Sequence, residues 1–372
     1  MYIRFVIRSE IIYNLYRMNS EFTNILEKIE LSLKEALPES TNTQWQDLSF
    51  GQIDSCINNS HLSVLSEPCN HLISLGGKRW RPLLLVLCTR MVQETKGQAI
   101  SLDKALALTP LVEFAHTASL IHDDIEDGAD TRRGKPCSHI TYGMDVAINA
   151  GSWLYFEAAS CIKKLNISDT EKNALYDLFL TELRLLHLGQ AMDIKWHRTP
   201  SLIPSQAEYV AMVRNKTGTL ARLAVKTGIL AGGGSQEDVV KAGIIAQDIG
   251  VGFQIIDDVT NLTTGNPGKK RGDDIVEGKK SLPVLIHLSS TPQDKEKLSA
   301  LFEQARTEGI DSPAVEKAIS LISSSGAIEQ AQEMGNSMVA AKCKALAELY
   351  GTRTPAGDLI FELFESMLKP KK

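Results

Sequence analysis

Apolar residues recur at helical spacing along most of this chain, and that period leaves little room for any architecture but a helical one. The stripes fall at i, i+3 and i+4 in RPLLLVLCTRMVQ (81–93), ALALTPLVEFAHTASLIHDDIED (105–127) and KNALYDLFLTELRLLHLGQAMDIKW (172–196). They return in EYVAMVRNKTGTLARLAVKTGIL (208–230), EDVVKAGIIAQDIGVGFQIIDDVTNL (237–262) and AIEQAQEMGNSMVAAKCKALAELY (327–350). Strand-like alternation between turn signals is nearly absent. The chain reads as all-α, with roughly a dozen helices.

Breakers punctuate the pattern. SLGGKRWRP (74–82) is a loop feeding a helix, and AGGGSQ (231–236) is a glycine hinge with Ser235 as the N-cap candidate. TTGNPGKKRGDDIVEGKKS (263–281) is long, polar and rich in Gly and Lys, the profile of a functional loop. The helical pattern resumes after each, so residues 61–372 read as one domain. Residues 1–60 read as an N-terminal extension, partly disordered. Residues 1–18 hold three Arg and one Glu, which fits a transit peptide or a stretch upstream of a start at Met18. The cytoplasm is the expected location, an organelle the alternative.

Composition excludes several classes. A net charge of -5 with 23% charged residues argues against a general nucleic-acid binder. No apolar run approaches the ~20 residues that span a bilayer. The strongest, LLLVLC (83–88), is core-sized, and no transmembrane segment is expected. Six cysteines without a CxxC pair read as free thiols.

SLIHDDIEDGADTRRG (119–134) concentrates Asp123, Asp124, Glu126 and Asp127 at the end of an apolar helical stretch. Like charges one turn apart repel, and the helix C-terminus disfavours anions, so something must compensate them. A solvated acidic helix end is the simplest account of this cluster alone. FQIIDDVTN (253–261) repeats the design with Asp257, Asp258 and Asn261. Two oxygen-rich faces on long helices, opposed across a bundle cavity, suit a hard cation such as Mg²⁺. EF-hand spacing and Glu-x-x-His pairs are missing. Basic residues gather at turns: Lys78, Arg79 and Arg81 in GGKRWRP, Arg132 and Arg133, Lys216 beside Thr217, and Lys269 and Lys279 in the long loop. No P-loop is present. Metal on one side and bases on the other describe a holder for diphosphate.

In that order the motifs GGKRWRP, HTASLIHDDIED, RRGKP, GQAMD, NKTG, GFQIIDDVTN and GDDIVEGKKSLP resemble those of the trans-isoprenyl diphosphate synthases, over about residues 60–365. The resemblance implies the all-α isoprenoid synthase bundle with a central cavity, usually a homodimer. It implies three Mg²⁺ per site, held by Asp123, Asp124 and Asp127 on one wall and by Asp257, with Asp258 and Asn261, on the other. Arg132, Lys216, Thr217, Gln254 and Lys269, with Lys279 nearby, would contact an allylic diphosphate. Lys78, Arg81, His116 and Arg133 would take the diphosphate of isopentenyl diphosphate. Loss of the allylic diphosphate leaves a carbocation that the isopentenyl double bond attacks, the departing diphosphate taking the proton. The 263–281 loop would close as a lid. His122 is expected to be structural.

Product length depends on what stops the growing chain. Ala118 and Ser119, five and four residues before Asp123, are small and leave a tunnel open. The motifs look most like eukaryotic-type geranylgeranyl (C20) diphosphate synthases, and there the floor would be Tyr155, Phe156 and His187. Ordinary core packing is the competing role for such side chains. The chain departs from that subgroup in reading NAGSWLYF before the floor, and residues 1–60 have no counterpart. Longer-chain and farnesyl diphosphate synthases are the enzyme alternatives. A regulatory subunit of a heteromeric synthase would lose one aspartate motif, and a terpene cyclase would replace the second.

Overall fold

The computed structural model describes residues 20–265 and 270–368. The 1–18 segment and Lys269 lie outside the described residues. Among the described residues the fourteen helices of nine residues or more are α1 (Ser20–Ala36), α2 (Asn59–Ser74), α3 (Trp80–Thr95), α4 (Thr109–Glu126), α5 (Met144–Ala158), α6 (Asp169–His197) and α7 (Gln206–Lys216), followed by α8 (Gly218–Ala231), α9 (Gln236–Thr263), α10 (Leu282–Ser290), α11 (Lys295–Glu308), α12 (Pro313–Ser323), α13 (Ala327–Ala347) and α14 (Pro355–Leu368). The expected all-α class is what the chain adopts. Two of the expected stretches are broken. Residues 105–127 divide at Leu108, because Pro110 has no N–H to continue a ladder and suits a first turn. Residues 208–230 divide at Thr217, which caps α7 and opens α8. Ser235 caps α9 as expected, its hydroxyl accepting from the Asp238 N–H.

Two apolar cores fill the bundle. The first gathers α1, α3, α4, α5, α8 and α14. The second gathers α7, α10, α11 and α12. Helix α9 belongs to both, through Val239, Ala246 and Ile249 in the first and Val251, Ile255 and Leu262 in the second. Helix α13 does the same through Val339 and Leu346, then Ala327 and Ala331. By length and composition α9 could cross a membrane, against the expectation from the sequence, yet more than half of its apolar window is buried inside the bundle.

The described part of the N-terminal extension is folded. Helix α1 buries Phe22, Ile25, Leu26, Ile29 and Leu33 in the first core and packs on α3 and α4. Trp45, in the short helix Thr43–Ser49, donates from its indole to the Ala36 carbonyl at 2.9 Å.

One small hairpin lies between α4 and α5. Strands β1 (Thr131–Arg132) and β2 (Lys135–Pro136) pair antiparallel around a two-residue loop. Arg133 and Gly134 turn the chain with φ of 53° and 72°, the geometry that tight hairpins require. The pattern around RRG gave no strand signal.

Candidate active site

The first aspartate cluster occupies the last turn of α4, with Asp127 as its C-cap. Cations from three other elements compensate it. Asp123 accepts from Lys216 Nζ at 3.1 Å and from Gln190 Nε2 at 3.1 Å, and Arg132 lies 3.6 Å away. Asp124, buried, accepts from Arg132 Nε at 2.7 Å and also from its Nη2. Asp127 accepts from Lys279 Nζ at 2.9 Å. Lys216 reaches Asp193 at 2.6 Å and Lys279 reaches Glu277 at 2.6 Å. Burial alone would push the Asp123 carboxyl up, but Lys216, Lys279 and Arg132 outweigh it and hold it well below the usual range. Asp127 goes the other way, to about 6, because burial, Asp123 and Glu277 together exceed Lys279.

Gln190 and Asp193 stand three residues apart on one face of α6. They reach the cluster because α6 runs close against the start of the Lys216 backbone. A Cβ on Gly189 would come within 2.3 Å of the Lys216 nitrogen. Sequence reasoning quoted GQAMD but assigned its members no task; their shared helical face was the available signal.

The second cluster is built differently. Asp257 is exposed on α9, whereas Asp258 is buried and both its oxygens are engaged. It accepts from the Tyr209 hydroxyl at 2.6 Å, Gln254 Nε2 at 3.0 Å and the Leu282 N–H at 3.2 Å. Burial lifts its carboxyl to about 6 against these donors. Asn261, also buried, accepts from the Asp274 N–H at 3.2 Å. Asp258 and Asn261 therefore make contacts that brace the fold, whereas Asp257 is exposed. Thr217 donates to Gln254 Oε1 at 2.8 Å, so both ends of that amide are in use. A cavity of about 50 Å³ lies here, lined by Asp193, Lys216, Thr217, Gln254, Asp258 and Lys279 among others. A larger groove of about 460 Å³ opens between α9 and α13, away from these groups, at Val259, Thr263, Glu329 and Glu333.

The described part of the expected lid is pinned. Gly272 N–H donates to the Asn261 carbonyl at 2.9 Å, and Arg271 pairs with Glu316 at 2.6 Å.

A cation cluster gathers around His116, two turns before Asp123 on α4. Arg81 sits with its guanidinium 4.4 Å from the Trp80 ring centroid and Nη1 3.4 Å from His116 Nε2. Its buried Nε has no acceptor. Burial and Arg133 bring Arg81 down to about 10, against the pull of Glu113. Burial and Arg79 do the same to Arg133. His116 is driven well below its ordinary value by burial and by Arg81, Arg133, Arg132 and Arg79, so it is neutral. Lys78, half-buried, lies on the loop that leads into α3, whose first turn carries Arg81. Gly77 lets that loop meet the hairpin: a Cβ there would stand 3.0 Å from Arg133 Nη2. Arg79, counted among the bases facing an anion, instead turns away, into Glu30 and Glu113.

Beneath the first cluster, His122 stacks on Tyr155 with centroids 5.6 Å apart, and Tyr155 meets His187 edge-on at 5.3 Å. His122 is thus the packing residue expected. Ala118 is buried and Ser119 donates to the His116 carbonyl at 2.7 Å. Phe156 does not join: it is 76% exposed, while Tyr155 is 7% exposed. Adjacent residues on a helix point about 100° apart, and here that turn carries Tyr155 inward and Phe156 outward. Phe156 is therefore no part of an interior floor within this chain.

The carboxylates fit a hard divalent cation, which prefers oxygen donors. Asp127 Oδ1 is buried without a hydrogen-bond partner, a ready ligand atom. Among the described residues no three acidic, His or Cys side chains converge on one point. Lys216 and Lys279 bridge the carboxylates instead, so the donors are present and their convergence is not preformed.

Residues 62–322 match the model of the Polyprenyl synthetase family. Geranylgeranyl pyrophosphate synthase dpfgD of Gibberella zeae is 34% identical over 298 residues, covering 78% of this chain and 75% of that protein. Geranylgeranyl pyrophosphate synthase dpmpD of Macrophomina phaseolina is 33% identical, covering 80% and 86%. Among solved structures, geranylgeranyl pyrophosphate synthetase from Pyrococcus horikoshii superposes with a TM-score of 0.77 at 27% identity, covering 95% of this chain and 98% of that one. The polyprenyl synthase of Caulobacter crescentus, complexed with calcium and isoprenyl diphosphate, gives 0.74 at 25% identity, covering 96% and 98%.

Proposed function

The chain belongs to the polyprenyl synthetase family of prenyltransferases, and from that premise we propose that it condenses isopentenyl diphosphate with an allylic diphosphate to make geranylgeranyl diphosphate. The observation that carries the reading is the presence of two distinct charge arrays along α4 and the hairpin that follows it. One is a set of carboxylates balanced by Lys216, Lys279 and Arg132, and the other groups Arg81, Arg133 and neutral His116. Each array suits one diphosphate.

Asp123, Asp124, Asp127 and Asp257 would hold Mg²⁺, three ions per site as the family resemblance implies. Bound there with diphosphate, it would supply positive charge as the allylic C–O bond breaks. Lys216, Lys279 and Arg132 would turn from the carboxylates to the same leaving group, with Thr217 and Gln254 lining its seat. Arg81, Arg133 and Lys78 would fix the second diphosphate, and His116 would offer it an N–H without adding charge. The isopentenyl double bond then attacks the allylic carbon, and the released diphosphate accepts the proton lost. No side-chain base is needed.

The C20 product rests on the His122, Tyr155 and His187 stack and on the geranylgeranyl relatives. A homodimer fits the apolar stripes left exposed at four-residue multiples, Met144, Ile148 and Phe156 on α5 and Leu180 and Leu188 on α6.

The test is a product assay with Mg²⁺, labelled isopentenyl diphosphate and C5, C10 or C15 allylic primers. A dominant C20 product is expected. Tyr155→Ala should lengthen it, and Phe156→Ala should leave its length unchanged if the floor lies within one protomer. A C30 or longer ladder from the unaltered chain would keep the chemistry and discard the floor. No elongation from any primer would remove the reading.

A further inference from the structure

Arg79 is built into the loop in a way that binding an anion does not explain. It occupies the left-handed region at φ 47°, ψ 24°, as the N-cap of α3. That conformation is unfavourable for a non-glycine residue and persists only where the surroundings over-determine it. Here they do. Arg79 is 3% exposed, and its guanidinium spends its donors on three elements. Nε donates to Glu30 Oε1 of α1 at 2.7 Å, Nη1 to Glu113 Oε1 of α4 at 2.5 Å, and Nη2 to the Ile73 carbonyl of α2 at 2.7 Å.

The consequences fall on its neighbours. Lys78 precedes it and Arg81 follows two residues later. Trp80 is anchored against Phe253 and Phe364, at 5.6 and 6.0 Å between centroids. Glu113 lies one turn before His116 and is the carboxylate that offsets the repulsion felt by Arg81 and Arg133. Glu30 lies on a helix that precedes residue 62, where the match to the family begins.

We propose that Arg79 is a positioning residue for the second-diphosphate site and that α1 holds it through Glu30. Helix α1 then acts on the substrate loop at a distance, tilting Arg79 so that Lys78 and Arg81 face the anion. The proposal rests on the functional reading above.

The experiment measures isopentenyl diphosphate binding by calorimetry, with EDTA present to exclude metal-dependent sites. Steady-state KM and kcat for both substrates are measured alongside. The variants are Glu30→Gln, Arg79→Lys and the exposed control Glu27→Gln. In Glu30→Gln, KM and Kd for isopentenyl diphosphate should rise about fivefold, with allylic KM and kcat at saturation within about twofold. Arg79→Lys, which loses the planar fork, should raise them more than about tenfold. Glu27→Gln should change neither. A lower melting temperature with unchanged isopentenyl affinity in Glu30→Gln would reduce the bridge to a structural contact and overturn the proposal. Equal shifts for both substrates would overturn it too. A wild-type chain that neither binds nor turns over substrate would overturn the functional reading and this proposal with it.

Discussion

The two aspartate clusters look like copies in sequence, an apolar helix ending in Asp-Asp, yet the structure neutralises them by opposite means. At Asp123, Asp124 and Asp127 the partners are cations on long side chains, arriving from the hairpin, from α7 and from the loop before α10. At Asp258 and Asn261 the partners are neutral: a phenol, an amide and backbone N–H groups. A lysine can leave a carboxylate when a better-matched ion and anion arrive together. A backbone N–H cannot leave without moving the chain. The first cluster is therefore held by partners that can swing away, and the buried part of the second by partners fixed in the fold.

The largest expected effect separates the clusters directly. Asp123→Asn should lower kcat by at least about a hundredfold while the fold persists, and Asp258→Asn should lower it by about tenfold with a clear fall in melting temperature. Steady-state rates and calorimetry decide it. Equal rate losses without a thermal difference would erase the distinction. Next is Tyr209→Phe. It strips one donor from a buried carboxylate and should cost about 1–3 kcal/mol of stability. Urea unfolding measures this, and an unchanged midpoint would show the bond to be idle. The smallest effect concerns pH. Arg81 and Arg133 are pulled down to about 10, so their charge is complete below that value and is lost above it. Affinity for isopentenyl diphosphate, corrected for the ionisation of the ligand itself, should hold to about pH 9 and fall beyond it. His116 is neutral throughout, so no step should appear between about pH 6 and 8. A step there that His116→Gln abolished would mean the imidazole is charged.

Most of the fold was legible because helical period survives without knowledge of partners. The breaks at Leu108 and Thr217 were missed because the apolar stripe runs through them. The hairpin was missed because its four paired residues carry no alternation and its turn rests on a left-handed Arg133. In the site, residue types announced the acids and bases, but not which would be consumed internally. Arg79 reads like Arg81 in GGKRWRP, and its distant partners Glu30 and Glu113, 49 and 34 positions away, tell them apart. Phe156 reads like Tyr155, and only the helix's orientation exposes one and buries the other. Tyr209 carried no motif at all.

Helix α9 threads both apolar cores, and this bears on how the protein comes apart. Neither core can release its share of the helix without stripping apolar surface from the other. Melting should accordingly be a single cooperative event, and a fragment ending between the cores would leave half of α9 without a partner. The helix that carries Asp257 and Asp258 is thus also the spine through which the two halves share one stability.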